Sequence, residues 1–532
     1  LKIPKKKELL ELQKKYRTDK KIGDVYGVPG RLVAYWRSKK KIGPYSQPKY
    51  SEEQILEYWE RFGDDGRAGA ELGISAAGFR QWRRRYKISK KPVQLRLEQL
   101  ELNLGDNNRK KSSRKETIIQ KVLAKKAGLK KVEIGQFISA EPDLAVSDSD
   151  SVSVIEFFED TGAKKIWDPT RVAIVLDYRL PAESREVSRS HNKVREFARK
   201  KKIKNFYDIG EGICNQVILE NAHILPGNLA FGSHHQAASY GCLGAMSSRI
   251  SSREMAALWA TGKIWMKVPS SIKIVINGKL SKGVYAKDII LKLMRDFARQ
   301  RVNYKSLEFY GTTVSAMSVS ERFTLTGFAE MVGAKSAVVP FDDVTMRYIK
   351  RITKSRYTPI RSDPDAAYEN VIEIDVNYLT PQVSLSRNEG RAVAIEEAAG
   401  KKIDLVVLGS CANGRIDDME VAAGILRGRR ISRDLRMIVI PGSRKILLEA
   451  IDRGIIKTFI ESGCVIVNPG CGSCLSSHGG VFIPVEKTLT TTCGEHDGAS
   501  GSADSDIYMA SPATAAATAL EGSIADPRRY LK

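Results

Sequence analysis

Two short segments hold the residue types best suited to chemistry. One is Gly409-Ser410-Cys411-Ala412-Asn413-Gly414-Arg415, and the other is Asn468-Pro469-Gly470-Cys471-Gly472-Ser473-Cys474. A Cys-x-x-Cys pair alone serves zinc binding or thiol–disulfide exchange equally well. Seven cysteines in 532 residues do not make a disulfide scaffold. The pair therefore points to metal or redox chemistry in a reducing compartment, and to a cytoplasmic location.

Both segments follow short apolar runs. Ile403-Asp404-Leu405-Val406-Val407-Leu408, Met437-Ile438-Val439-Ile440 and Val172-Ala173-Ile174-Val175-Leu176 read as buried parallel strands. Helical patterns at 190–201 and 416–426 separate such runs, which predicts an alternating α/β fold. The length exceeds what one core can serve, so several domains are expected. No apolar run approaches the roughly 18 residues of a membrane span. The opening Leu1-Lys2-Ile3-Pro4-Lys5-Lys6-Lys7 lacks a signal peptide's apolar centre. No membrane partner is expected.

From residue 115 to 532 the sequence resembles the large-subunit family of aconitase and 3-isopropylmalate dehydratase, homoaconitase-like members included. The cysteine segments carry that resemblance, with Gly162-Ala163-Lys164-Lys165-Ile166-Trp167-Asp168-Pro169, Tyr207-Asp208-Ile209-Gly210-Glu211-Gly212-Ile213-Cys214-Asn215-Gln216 and Tyr285-Ala286-Lys287-Asp288-Ile289-Ile290-Leu291. It implies a three-domain α/β/α core around a [4Fe–4S] cluster held by Cys411, Cys471 and Cys474. Thiolates suit such a cluster as soft, charged ligands. The fourth iron stays open as a Lewis acid for a hydroxyl group. The implied activity is that of a hydro-lyase, a dehydratase or isomerase of hydroxy di- and tricarboxylates. The resemblance implies a split member without the swivelling fourth domain, which such members carry as a small subunit, so a small subunit is a candidate partner. A homo-oligomer is also open.

The departures bear on activity. The usual Asp-His pair is Asp177-Tyr178, and the histidine of Gly-Ile-Cys-His-Gln is Asn215. The usual Gly-Ala-Asp-Ser-His-Thr is Gly232-Ser233-His234-His235-Gln236-Ala237, so His234, His235 and Gln236 replace aspartate, serine and histidine. Met331 stands where an acid is usual, beside Glu330. Two arginines of the usual Ser-Asn-Arg-Asn-Phe-x-Gly-Arg become Gly494 and Ala499, while Glu495 and Asp497 enter. Losing arginines forfeits bidentate bonds to carboxylates, and losing three histidines removes proton carriers. A degenerate pocket, a pseudoenzyme, is the expectation. Cys493 replaces an asparagine that in the family lies beside the cluster. It is either a fourth thiolate that closes the cluster or a buried free cysteine. His234, His235 or His496 are alternative caps.

The N-terminal fifth differs. Net charge is +25 overall, and residues 1–114 hold 29 lysines and arginines against 14 acids. A repeat at an offset of 46 matches Gly27 with Gly73, Val33 with Phe79, Trp36 with Trp82 and Ile42 with Ile88. Each copy reads as a helix-turn-helix: unit one at 1–46, unit two at 47–90, then a basic linker at 91–114. Glycine suits the left-handed cap at Gly27 and Gly73, and Pro29 and Ser75 suit helix starts. Val33 and Trp36, or Phe79 and Trp82, are expected inward. The opposite face carries Arg31, Tyr35, Arg37, Lys39 and Lys40, then Arg80, Gln81, Arg83, Arg84 and Arg85. Such residues read base edges and phosphates, so double-stranded DNA is the expected partner.

These features give one leading expectation: a [4Fe–4S] protein of lost activity, reused as a cluster-dependent regulator and fused to a DNA-binding module. The rival is a hydro-lyase of altered specificity working with a small subunit.

Overall fold

The computed structural model describes residues 4–16, 18–42, 50–62, 64–86, 88, 115–148, 151–234, 236–297, 302–385, 392–471, 486–492 and 506–531. The chain forms two compact units, Leu1–Ser112 and Ser113–Lys532. The expected linker at 91–114 lies outside the described residues.

The first unit holds two sets of three helices: Lys6–Tyr16, Asp19–Tyr26 and Gly30–Lys39, then Glu52–Phe62, Asp65–Glu71 and Ala76–Arg85. Each set encloses its own core. Leu9, Ile22, Val33 and Trp36 form the first, and Ile55, Trp59, Ala68 and Phe79 the second. Asp64 caps its helix by accepting the Gly66 and Arg67 N–H groups at 2.9 and 3.0 Å. Ser75 caps the next by accepting that of Gly78 at 3.2 Å. The 46-residue repeat extends to positions that carry no sequence signal of their own. A Cβ on Gly23 would meet the Val28 carbonyl oxygen at 2.3 Å, and one on Gly69 the Ile74 oxygen at 2.8 Å. Glycine lets the second helix lie on the following turn in both copies.

Arg37 and Arg83 correct the sequence expectation. They do not lie on the exposed face: their relative exposures are 7% and 3%. Each follows its core residue, Val33 or Phe79, by four positions, one helical turn on the same inward side. Arg37 Nε donates to Asp19 Oδ1 at 2.7 Å, and Arg83 Nε to Asp65 Oδ1 at 2.8 Å. Trp82 is only half-buried, meeting Tyr50 edge-on, while Trp59 fills the core. Leu10 and Leu56 are exposed.

The large unit contains three main sheets. A five-stranded parallel sheet runs in the order Asn205–Tyr207, Val172–Val175, Leu144–Ser147, Leu229–Gly232, Met246–Arg249. A four-stranded parallel sheet joins Ser336–Val338, Ser306–Tyr310, Ser271–Asn277 and Asn370–Asp375. A seven-stranded mixed sheet has Thr488–Thr490, Leu405–Gly409, Arg436–Ile440 and Val465–Ile466 in parallel as one half. Helices cover the strands, which are buried along their length, as parallel sheets require. The helix expected from 190 begins at Arg185, because Ser184 caps it through the Val187 N–H at 3.2 Å. Among the described residues no helix is long and apolar enough to cross a membrane.

Candidate active site and metal centres

Parallel strands deliver loop residues at their carboxyl ends, where open α/β sheets bind ligands. Three such ends, in two sheets, converge here. Strand Leu405–Gly409 runs into Ser410, Cys411 and Asn413, with φ of 61° at Ser410 and 59° at Asn413. A Cβ on Gly409 would meet the Ile440 carbonyl oxygen at 2.0 Å, so this tight turn needs glycine. Past Val465–Ile466 comes Cys471, whose N–H donates to the Asp177 carbonyl at 2.6 Å in a parallel bridge between Tyr178 and Cys471. Ser410 Oγ donates to the Gly470 carbonyl at 3.0 Å, fastening one cysteine turn to the other.

Cys411 and Cys471 are partly exposed, whereas Cys214, Cys242 and Cys464 are buried. Cys474, Cys493, Gly494 and Ala499 lie outside the described residues, as does His235. The two described cysteines fit a cluster: their turns face one another through the Ser410 bond, and Gln236 Nε2 lies 3.7 Å from Cys411 Sγ as an N–H donor to sulfur. Asn215 Nδ2 donates to Gln236 Oε1 and to the Cys411 carbonyl, both at 3.2 Å. The two amides that replace family histidines thus bond to each other and to the Cys411 turn.

Met331 packs against the core beneath the four-stranded sheet. Its neighbour Glu330 accepts the Ala238 N–H at 3.3 Å. Burial pushes Glu330 up to about 7, against the pull of Arg249. The 3-10 helix Ala329–Val332 turns Glu330, one position earlier than expected, towards the Gln236–Ala238 segment.

A second constellation lies under the first. Asp148, Cys214 and His234 are buried and place one ligand atom each within 4.8 Å of one another. Asp177 Oδ2 accepts the Cys214 N–H at 2.8 Å, and Tyr240 Oη lies 3.3 Å from His234 Nε2. Burial, then the Asp148 charge, holds the Asp177 carboxyl well above the usual carboxylate range. Burial raises the Cys214 thiol as well. One cysteine, one histidine and one aspartate are not the donor set of a [4Fe–4S] cluster, which takes thiolates. A cavity of about 180 Å³ reaches Asp148, Asp177, Tyr178, Arg179 and His191.

In the N-terminal unit Arg31, Tyr35, Arg80, Gln81 and Arg84 are exposed on the third helix of each set. Arg80 Nε also donates to Asp65 at 3.0 Å. Sequence reasoning missed Asp148, Tyr240, Asp19 and Asp65, and quoted Cys214 only as part of a motif. The 46-residue offset that pairs Asp19 with Asp65 was the available signal for the last two.

Comparison with known proteins agrees with this architecture. The model of the aconitase family (aconitate hydratase) matches residues 120–522. The 3-isopropylmalate dehydratase large subunit 1 of Methanopyrus kandleri is 38% identical over 416 residues, covering 78% of this chain and 99% of that protein. A 3-isopropylmalate dehydratase large subunit of Clostridium botulinum is 40% identical over 413 residues, covering 77% and 99%. The probable methanogen homoaconitase large subunit of Methanosarcina mazei is 39% identical over 391 residues, covering 73% and 99%. The match spans nearly the whole length of each relative, and the α/β layers that carry Cys411 and Cys471 fall inside it. The chain belongs to the aconitase family.

Proposed function

We propose that this chain is the cluster-bearing large subunit of a hydro-lyase with altered specificity, working with a small subunit. The observation that carries the reading is the pair of fastened turns bearing Cys411 and Cys471, with the Asn215–Gln236 amide pair beside them. A [4Fe–4S] cluster held by Cys411, Cys471 and Cys474 would supply Lewis acidity for a substrate hydroxyl. Gln236 and Asn215 would orient polar substrate groups next to Cys411. Glu330, poised near neutral pH, would hold a proton beside the Gln236–Ala238 segment. Gly494 and Ala499, in place of arginines, remove two carboxylate partners, so the substrate is a hydroxy acid with fewer carboxylates than isopropylmalate.

Anaerobic purification with iron and sulfide assays, then turnover with a small subunit, tests this. About four irons per chain are expected, lost in Cys411→Ser. Isopropylmalate, citrate and homocitrate should turn over poorly, and a less carboxylated hydroxy acid should turn over better. A loaded cluster with no dehydration of any hydroxy acid overturns the enzyme reading.

One observation favours a second reading, a cluster-dependent DNA-binding regulator. The two three-helix sets present Arg31, Tyr35, Arg80, Gln81 and Arg84 to solvent on matched helices. The full chain should then bind duplex DNA, with an affinity that falls steeply with salt. Changing Arg80 and Arg84 to alanine should lower the salt slope by about one for each phosphate no longer neutralised. Salt-independent binding, or none, excludes that reading.

A further inference from the structure

We propose that Asp148, Cys214 and His234 bind one Zn²⁺ ion, with Asp177 Oδ1 turned to the same ion, in a centre that uses none of Cys411, Cys471 and Cys474. This goes beyond the hydro-lyase reading and does not depend on it.

Rigid elements position every donor. Val172–Val175, Leu144–Ser147 and Leu229–Gly232 are three adjacent strands of the five-stranded sheet. Asp177, Asp148 and His234 each lie one or two residues beyond the carboxyl end of one of them. Cys214 opens the helix Cys214–Glu220, and its N–H is held by Asp177 Oδ2. The three ligand atoms already lie within 4.8 Å of one another. Tetrahedral zinc, with Zn–O and Zn–N of about 2.0 Å and Zn–S of about 2.3 Å, needs them roughly 3.3–3.6 Å apart. Side-chain rotation over about 1 Å closes that gap.

A second observation points to a ligand. Among the described residues Asp177 Oδ1 is buried without a hydrogen-bond partner, on a residue only 1% exposed. A buried carboxylate oxygen left unbonded is costly, and a cation beside it removes the cost. Asp177 Oδ2 accepts the Cys214 N–H at 2.8 Å, which places its carboxylate against the same cluster. A dication also neutralises the Asp148 carboxylate and the Cys214 thiolate together. Tyr240, bonded to His234, fixes the imidazole as ligand-supporting partners do. The cavity along Asp148 and Asp177 gives the ion a way in. Mixed thiolate, imidazole and carboxylate donors in a tetrahedral set favour zinc among the common divalent ions.

The test is metal analysis of the full chain after equilibration with Zn²⁺ and removal of excess metal. One zinc per chain is expected, retained when Cys411 and Cys471 are both changed to serine. Cys214→Ser and His234→Ala should each abolish it. Asp177→Asn should weaken it about 10- to 100-fold in chelator competition. Because a core variant can fail to fold, circular dichroism accompanies each measurement. Co²⁺-loaded wild type should also show a thiolate-to-metal absorption that disappears in Cys214→Ser. No zinc in the wild type, full zinc in folded Cys214→Ser, or loss of zinc with the Cys411 and Cys471 changes would each overturn the proposal.

Discussion

Charge is buried in two different ways in this molecule. In the N-terminal unit Arg37 and Arg83 go inside with one aspartate each, and the donors and acceptors match. In the large unit Asp148, Asp177 and Cys214 gather at the carboxyl end of one sheet, and Asp177 keeps an oxygen with no hydrogen-bond partner among the described residues. The first arrangement completes itself, and its job is structural. The second is incomplete among the described residues, which is the observation behind the proposed zinc site. The position of a charged residue in the sequence says little about which of the two it will be. Its partner decides.

The comparison breaks first at Arg83. Both side chains of the Arg83–Asp65 pair are almost fully buried, at 4% and 8% exposure. Arg83→Ala leaves the buried Asp65 with only the half-exposed Arg80 as a cation partner, and should cost the second three-helix set about 3 kcal/mol in urea unfolding followed by tryptophan fluorescence. Arg37→Ala should cost less, because Asp19 is 25% exposed and water can take the place of the lost partner. Equal costs would mean that pairing, not burial, sets the scale.

Lys287 sharpens the contrast within the large unit. Fully buried, its Nζ donates to the carbonyls of Thr491 and Thr492 at 2.8 and 3.2 Å and lies 3.7 Å from the Phe328 ring centre. Lys287→Met keeps the volume and strips both carbonyls of their donor. A loss of about 2 kcal/mol in thermal or urea unfolding is expected. No change would show that water replaces the ammonium group.

Asp288 gives the smallest effect in energy and the clearest in pH. It accepts the Tyr285 and Gln382 N–H groups, both at 2.8 Å, and burial pushes its carboxyl up to about 7. The unfolded carboxyl releases its proton near about 4, so between those values the folded chain holds more protons. Stability therefore falls as pH rises through that window and levels off above it. Asp288→Asn should lose about 1 kcal/mol at low pH, through one mismatched hydrogen bond, and flatten the decline. An unchanged pH profile would assign the decline to another group.

Much of the large unit was legible because apolar runs and cysteine turns are local signals. Val172–Val175, Leu405–Gly409 and Arg436–Ile440 fall where the runs predict strands. The helix Ile416–Leu426 matches its pattern to the residue. What failed was the aiming of side chains. Arg37 and Arg83 look like surface residues in a basic stretch, but a helical turn after an inward residue leads inward again. Glu330, beside Met331, reaches the Ala238 N–H from a 3-10 turn, a local geometry that the sequence does not announce. The Asp148–Cys214–His234 group was unreadable for another reason: its members are 86 residues apart at the extremes, and only the strand order brings them together.

The seam between the five- and seven-stranded sheets also sets an order of events in folding. Cys471 is held through Asp177, and Cys411 through Asn215 and Gln236, across separations of 175 residues or more. Such distant segments meet late, after each sheet has assembled from nearer neighbours. The cysteine turns are thus completed last. A nascent or partly unfolded chain offers its thiols one at a time, and the joined arrangement of the Cys411 and Cys471 turns exists only in the finished protein.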